Sequence, residues 1–226
     1  ESEGGNPAGS ERMRTMTTSL RERVRQRILD QVKYGELRPG DKISEAQLCE
    51  TMGISRTPAR EALLQLASEG LLENVPRKGF VVCERSIKEK MDVYDVLAAL
   101  DALAAKLALK YMGEKELNGM RECIDLIDIS IKYRNYPEYC RLQQRFHDVY
   151  RERCGNDMLR KLLEELQVGF APHTYISDDA DQLFEVYRDM NEEHRHIVDL
   201  FEEKKGDELY HFLMDVHWQT KYDEMI

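Results

Sequence analysis

Between Ser44 and Val82 the sequence places two helix starts, a glycine turn and a basic hairpin, and few folds accept that order. Ser44-Glu45-Ala46-Gln47 has the form of a capping box, with Ser at the N-cap and Gln three residues on. The helix it opens stops at Met52-Gly53, after about two turns. Ser55-Arg56-Thr57-Pro58 starts the next one: Ser55 or Thr57 supplies a cap, and Pro58 is tolerated in the first turn. That helix runs through Ala62, Leu63 and Leu66 to Gly70. Residues 71–75 and 79–82 read as two short strands around the basic turn Pro76-Arg77-Lys78-Gly79. A first helix, 18–34, precedes them. Leu20, Val24, Ile28 and Val32 recur at its helical period, with Arg21, Arg23, Arg25 and Arg27 opposite. Leu37-Arg38-Pro39-Gly40 breaks it. Two helices joined by a short turn containing Gly are the helix-turn-helix signature, and the hairpin makes it a winged one.

The chemistry of this segment points to double-stranded DNA. A recognition helix reads DNA from its N-terminal turn, and here that turn carries Arg56, Thr57 and Arg60. Arg56 and Arg60, four apart, share a helix face. An arginine can grip a guanine through two hydrogen bonds. Ser55 and Thr57 can hold phosphates, and Arg77 and Lys78 on the wing can reach the backbone or the minor groove. The formal net charge of −10 conceals an asymmetry: residues 11–90 carry a net +4 and residues 91–226 a net −12. A basic N-terminal third on an acidic remainder suggests two modules with different partners.

Residues 1–17 are rich in Gly, Pro and Ser without periodicity and read as a flexible arm. A DNA-binding domain is expected over 18–85. Over 86–226 Leu, Ala and charged residues recur at helical spacing, with breaks near Gly113, Tyr136-Pro137, Gly155-Asn156, Gly169 to Pro172 and Lys205-Gly206. That predicts an all-α bundle of about six helices, so the fold class is mainly α. No apolar run reaches the length of a membrane span, and there is no signal-peptide pattern. The five cysteines are scattered and never form a C-x-x-C pair, which fits a reducing, cytoplasmic location.

Three of the six histidines, His147, His194 and His217, fall on different predicted helices, so a bundle could bring them together. Gln143 lies one turn before His147 on the same face. Neutral imidazole is the commonest transition-metal ligand, but by spacing alone the signal is weak, because distant lone histidines are more often ordinary core or surface residues.

The stretch GELRPGDKISEAQLCETMGISRTPAREALLQLASEGLLENVPRKGFVV resembles the N-terminal domain of GntR-family transcription regulators. The resemblance implies that Arg56, Thr57 and Arg60 contact DNA and that Gly79 is the wing-tip glycine. It also implies that Ala46 removes a basic contact some relatives make from the second helix. The segments FHDVYRERCGNDML, EEHRHIVDLFEEKKGDEL and MDVHW resemble the FadR-type ligand-binding domain known as FCD. That implies an effector-binding and dimerisation domain holding a divalent metal on three histidines, here His147, His194 and His217, and one acidic residue. Gln143 stands at the acidic position. A neutral amide there favours Zn²⁺ or Ni²⁺ on three imidazoles over Mg²⁺. The implied effector is a small organic acid, though relatives often carry an arginine near the position of Leu97. The implied protein is a homodimeric repressor on a pseudo-palindromic operator. Two other readings follow from the same residues. One is a metal-free regulator; the other is a hydrolase using a histidine-held metal with Glu193 as base.

Overall fold

The computed structural model describes residues 19–33, 36–84, 86–169 and 180–219. The arm at 1–17 and His173 lie outside them. Helix α1 (Leu20–Lys33) buries Val24, Ile28 and Val32. Arg25 departs from the expected solvent face. It is half-buried and bridges α1 to Glu69, with Nη2 3.0 Å from Oε2, while the Gln65 amide donates to the same carboxylate.

The chain continues through β1 (Lys42–Ile43), α2 (Glu45–Met52), α3 (Arg56–Ser68), β2 (Leu72–Val75) and β3 (Gly79–Val82). The Ser44 hydroxyl accepts from the Gln47 amide at the start of α2, and Gly53, at φ +64, ends that helix in the left-handed region. The strands form an antiparallel sheet in the order β1-β3-β2, with Lys42 opposite Val81 and Ile43 opposite Phe80. Strand β1 is absent from the sequence reading, because two residues are too few to show alternation. Leu63, Leu66, Leu72, Phe80 and Val82 join the α1 residues in one core. Burying each such side chain contributes about 1.5–3 kcal/mol, and this core fixes the angle at which α3 presents its outer face.

The C-terminal half contains α4 (Ile87–Ala108), α5 (Glu114–Lys132), α6 (Tyr136–Arg151), α7 (Asp157–Gly169), α8 (Ala180–Glu202) and α9 (Gly206–Phe212). Ser86 and Glu89 cap α4 reciprocally, and Asn135 caps α6 with Pro137 in its first turn. Ala98, Ala102, Ala105 and Ala108 form a buried column on α4, small enough for close approach of neighbours. Helix α4 packs on α6, α7 and α9, and α5 packs on α6 and α8. Beyond α9 the chain makes one π-helical turn, Leu213–His217. Such turns insert a residue into the helical register and re-aim the side chains that follow; here they are His217 and Trp218. No described helix is long and apolar enough to cross a membrane.

Candidate nucleic-acid interface and metal centre

On α3 the buried positions are Ala59, Ala62, Leu63 and Leu66, which leaves Arg56, Thr57 and Arg60 exposed on the outer face. Ser55 is the N-cap residue by backbone conformation, but its hydroxyl makes no capping bond, so it is free to donate outward. Arg56, Thr57 and Arg60, with Glu45, Ala46, Glu61 and Leu64, line a shallow concavity between α2 and α3. Arg60 Nη1 lies 3.9 Å from the Glu45 carboxylate, a loose and largely exposed pair that leaves the guanidinium available.

Arg77 and Lys78 are exposed at the hairpin tip, where the Lys78 amide donates to Val75 O at 3.0 Å. Gly79 has φ +87, a conformation open to glycine. Arg77 has φ +67, where a side chain costs roughly 1–2 kcal/mol. The arginine therefore sits where glycine would be more stable. Arg77→Gly is expected to raise the stability of this domain by about 1 kcal/mol while weakening DNA binding. Thermal melting and a mobility shift on one preparation check both halves. An unchanged DNA affinity would remove the wing arginine from the interface.

The structure brings His147, His194 and His217 together: their ligand nitrogens lie within 4.8 Å of one another, and all three residues are buried. Each imidazole is held from behind at Nδ1. His147 Nδ1 lies 2.6 Å from the Tyr150 hydroxyl, which itself donates to Asp101. His194 Nδ1 lies 3.2 Å from Asn191 Oδ1. The Asn191 amide donates to Ile124 O and Asp128, and this orients its oxygen toward the ring. His217 Nδ1 lies 2.9 Å from the Glu193 carboxylate. Acceptors at all three Nδ1 positions select the Nδ1–H tautomer and leave a lone pair on each Nε2.

Those lone pairs face inward. His147 Nε2 and His217 Nε2 are 3.4 Å apart, and His194 Nε2 is buried with no hydrogen-bond partner. Three converging acceptors without a donor are costly unless a cation sits among them. Burial pushes His147 down to about 4 despite the nearby Asp101 carboxylate, and burial likewise pushes His194 down, so both rings are neutral near pH 7. The donor set therefore fits a borderline-soft divalent ion. Gln143 is half-buried one turn earlier on α6. Glu193 is committed to His217, which argues against its use as a hydrolytic base.

Behind His147 lies a polar cluster that sequence reasoning missed. Asp101 on α4 is fully buried and accepts from Arg151 Nε (2.6 Å), the Tyr150 hydroxyl and Trp218 Nε1 (2.8 Å). Burial alone would push its carboxyl up, but Arg151 and then His147 outweigh this and hold it well below the usual carboxylate range. Trp218 leans over the cluster, its ring centroid 5.1 Å from that of His147 and 6.4 Å from that of Tyr94. One signal was legible: Asp101 interrupts the alanine column of α4, three residues after Ala98 and four before Ala105. Leu97 is buried against an apolar group with Leu159 and Leu163 and provides no cation.

Known proteins match both halves of the chain. Residues 20–82 match the model for bacterial regulatory proteins of the gntR family, and residues 92–219 match the FCD domain. The Nta operon transcriptional regulator of Aminobacter aminovorans is 28% identical over 84% of this chain and 86% of its own. The uncharacterized HTH-type transcriptional regulator YdhC of Bacillus subtilis is 32% identical over 58% of this chain and 59% of its own. The solved structure of Escherichia coli McbR/YncC superposes with a TM-score of 0.76 at 22% identity, covering 88% of this chain and 93% of that one. With its helix-turn-helix and FCD halves both matched, the chain belongs to the GntR family of DNA-binding transcription regulators, in the group that carries an FCD domain.

Proposed function

We propose that the protein is a homodimeric repressor whose FCD half binds Zn²⁺ or Ni²⁺ and responds to a small organic acid. The observation that carries this reading is the convergence of three buried Nε2 lone pairs, each imidazole fixed from behind. His147, His194 and His217 would hold the metal, and the Gln143 amide oxygen would stand where relatives place a carboxylate. A divalent ion on neutral ligands keeps its charge and an open position, which suits an anionic effector. The effector acts through its different affinities for two arrangements of the protein. Gln143 favours a second reading in which the bundle works without metal, and metal content separates the two.

On the DNA side, Ser55, Arg56, Thr57 and Arg60 read one half-site and Arg77, Lys78 and Gly79 form the wing contact. Two copies match a pseudo-palindrome. Exposed Met91, Val96 and Leu103 on α4, with Met158 and Leu162 on the adjacent α7, supply apolar surface for pairing. Arg56→Ala is expected to weaken binding to an operator selected from a random duplex pool by ten- to a hundredfold, about 1–3 kcal/mol, and to relax base preference. Wild-type affinity should fall steeply with salt. Mobility shifts at several salt concentrations, beside sedimentation of the free protein, check this. A monomer, or an Arg56→Ala variant that binds like wild type, would overturn it.

A further inference from the structure

The guanidinium of Arg151 is 4% exposed, and only its Nε is satisfied. Both terminal nitrogens, Nη1 and Nη2, are buried without a hydrogen-bond partner among the described residues. Asp101 does not reach them: its Oδ1 accepts from Nε alone, and its Oδ2 accepts from Tyr150 and Trp218. The nearest other carboxylate, Asp148, stands 3.7 Å from Nη1, and its nearer oxygen already accepts from Gln144. Buried donors are almost always paired in folded proteins. A guanidinium edge with two parallel N–H groups matches one carboxylate in bidentate fashion.

We infer that Arg151 is the anchor for the carboxylate of the effector, a role its partners leave open. This rests on the effector-responsive reading above and deepens it by placing the effector's one carboxylate on Arg151, on the Nδ1 side of His147, rather than on the metal's open position. Arg151 supplies a positive edge on α6, where Leu97 on α4 supplies none. Asp101, Asp148 and Glu193 place negative charge around the same region, so a ligand with one carboxylate is favoured over a dicarboxylate or phosphate. An aromatic face borders the edge: the guanidinium lies 5.9 Å from the Trp218 ring centroid. The nearby indole N–H and phenol O–H are already committed to Asp101. The ligand's body is therefore apolar, a short-chain or aromatic monocarboxylate.

Trp218 is the single tryptophan in the chain and touches the site, so its emission reports binding directly. Butyrate, benzoate, succinate and inorganic phosphate would be titrated into the full-length protein, with and without zinc. Saturable changes are expected with the two monocarboxylates, and weaker ones with succinate and phosphate. Arg151→Lys, which keeps the charge but loses the paired N–H edge, should weaken monocarboxylate binding at least tenfold. Should that variant fail to fold, the neutral pair Asp101→Asn with Arg151→Gln replaces it and should abolish binding. Undiminished binding in these variants overturns the assignment, as does a wild type that answers only to phosphate or to none of the four. Operator affinity measured on the same samples separates the two levels: monocarboxylate binding that depends on Arg151 but leaves operator affinity unchanged keeps the anchor and removes the effector reading.

Discussion

Asp101→Ala is expected to destabilise the C-terminal half by about 3–5 kcal/mol, the range for breaking a buried ion pair from one side. The carboxylate receives three donors from two elements: Arg151 and Tyr150 on α6, and Trp218 just past the π-helical turn. Removing it leaves a guanidinium buried with no hydrogen-bond acceptor and frees the phenol that orients His147. Asp101→Asn should cost less, since an amide oxygen still accepts and no cavity opens. Replacing Asp101 and Arg151 together by apolar residues of similar volume should cost less again, because no charge is then stranded. Urea melts of the four proteins measure this. A loss below about 1 kcal/mol for Asp101→Ala would place the cluster in the range of solvated ion pairs and contradict its burial.

The N-terminal half was legible because its signals are local. Caps, a glycine turn and a basic hairpin sit within one short stretch, and each is fixed by residues a few positions away. What escaped there was strand β1, defined only by its pairing with β3 far along the chain. Arg25 escaped for a related reason: its partner Glu69 lies 44 residues on, so periodicity assigned it to solvent. The bundle repeats the pattern. The three histidines could be picked out with the help of the family resemblance, yet nothing in their spacing shows that Tyr150, Asn191 and Glu193 stand behind them. Arg151 lies one turn from His147 and Asp101 sits in a column of alanines. Both marks were visible, but only folding shows that they meet. The π-helical turn is hidden altogether, because an inserted residue in a helix leaves no periodic trace over one turn.

His194→Ala should lower zinc affinity by more than a hundredfold, since it removes one of the three imidazoles that converge among the described residues, and the one whose Nε2 has no other partner there. Wild-type protein purified without chelator or nickel resin should carry about one metal per chain by elemental mass spectrometry. Stripping that metal should lower stability by RT ln(1 + [M]/Kd), about 2.7 kcal/mol at a hundredfold excess over Kd. His196→Ala is the control. It lies two residues away, exposed and packed on Phe212, and should leave metal content unchanged. Gln143→Asp supplies the charge the centre lacks and should tighten zinc binding at least tenfold, because a carboxylate attracts a dication where an amide offers only a dipole. Operator binding by metal-free His194→Ala then decides what the centre is for. If its affinity matches that of metal-free wild type but no longer changes on adding zinc, the metal controls the DNA-reading half. If zinc alters neither protein's affinity, the ion's work is confined to holding the bundle together. A wild type without metal, unmoved in melting temperature by Zn²⁺ or Ni²⁺, would mean that the glutamine has ended metal binding here and that the three lone pairs are met by water instead.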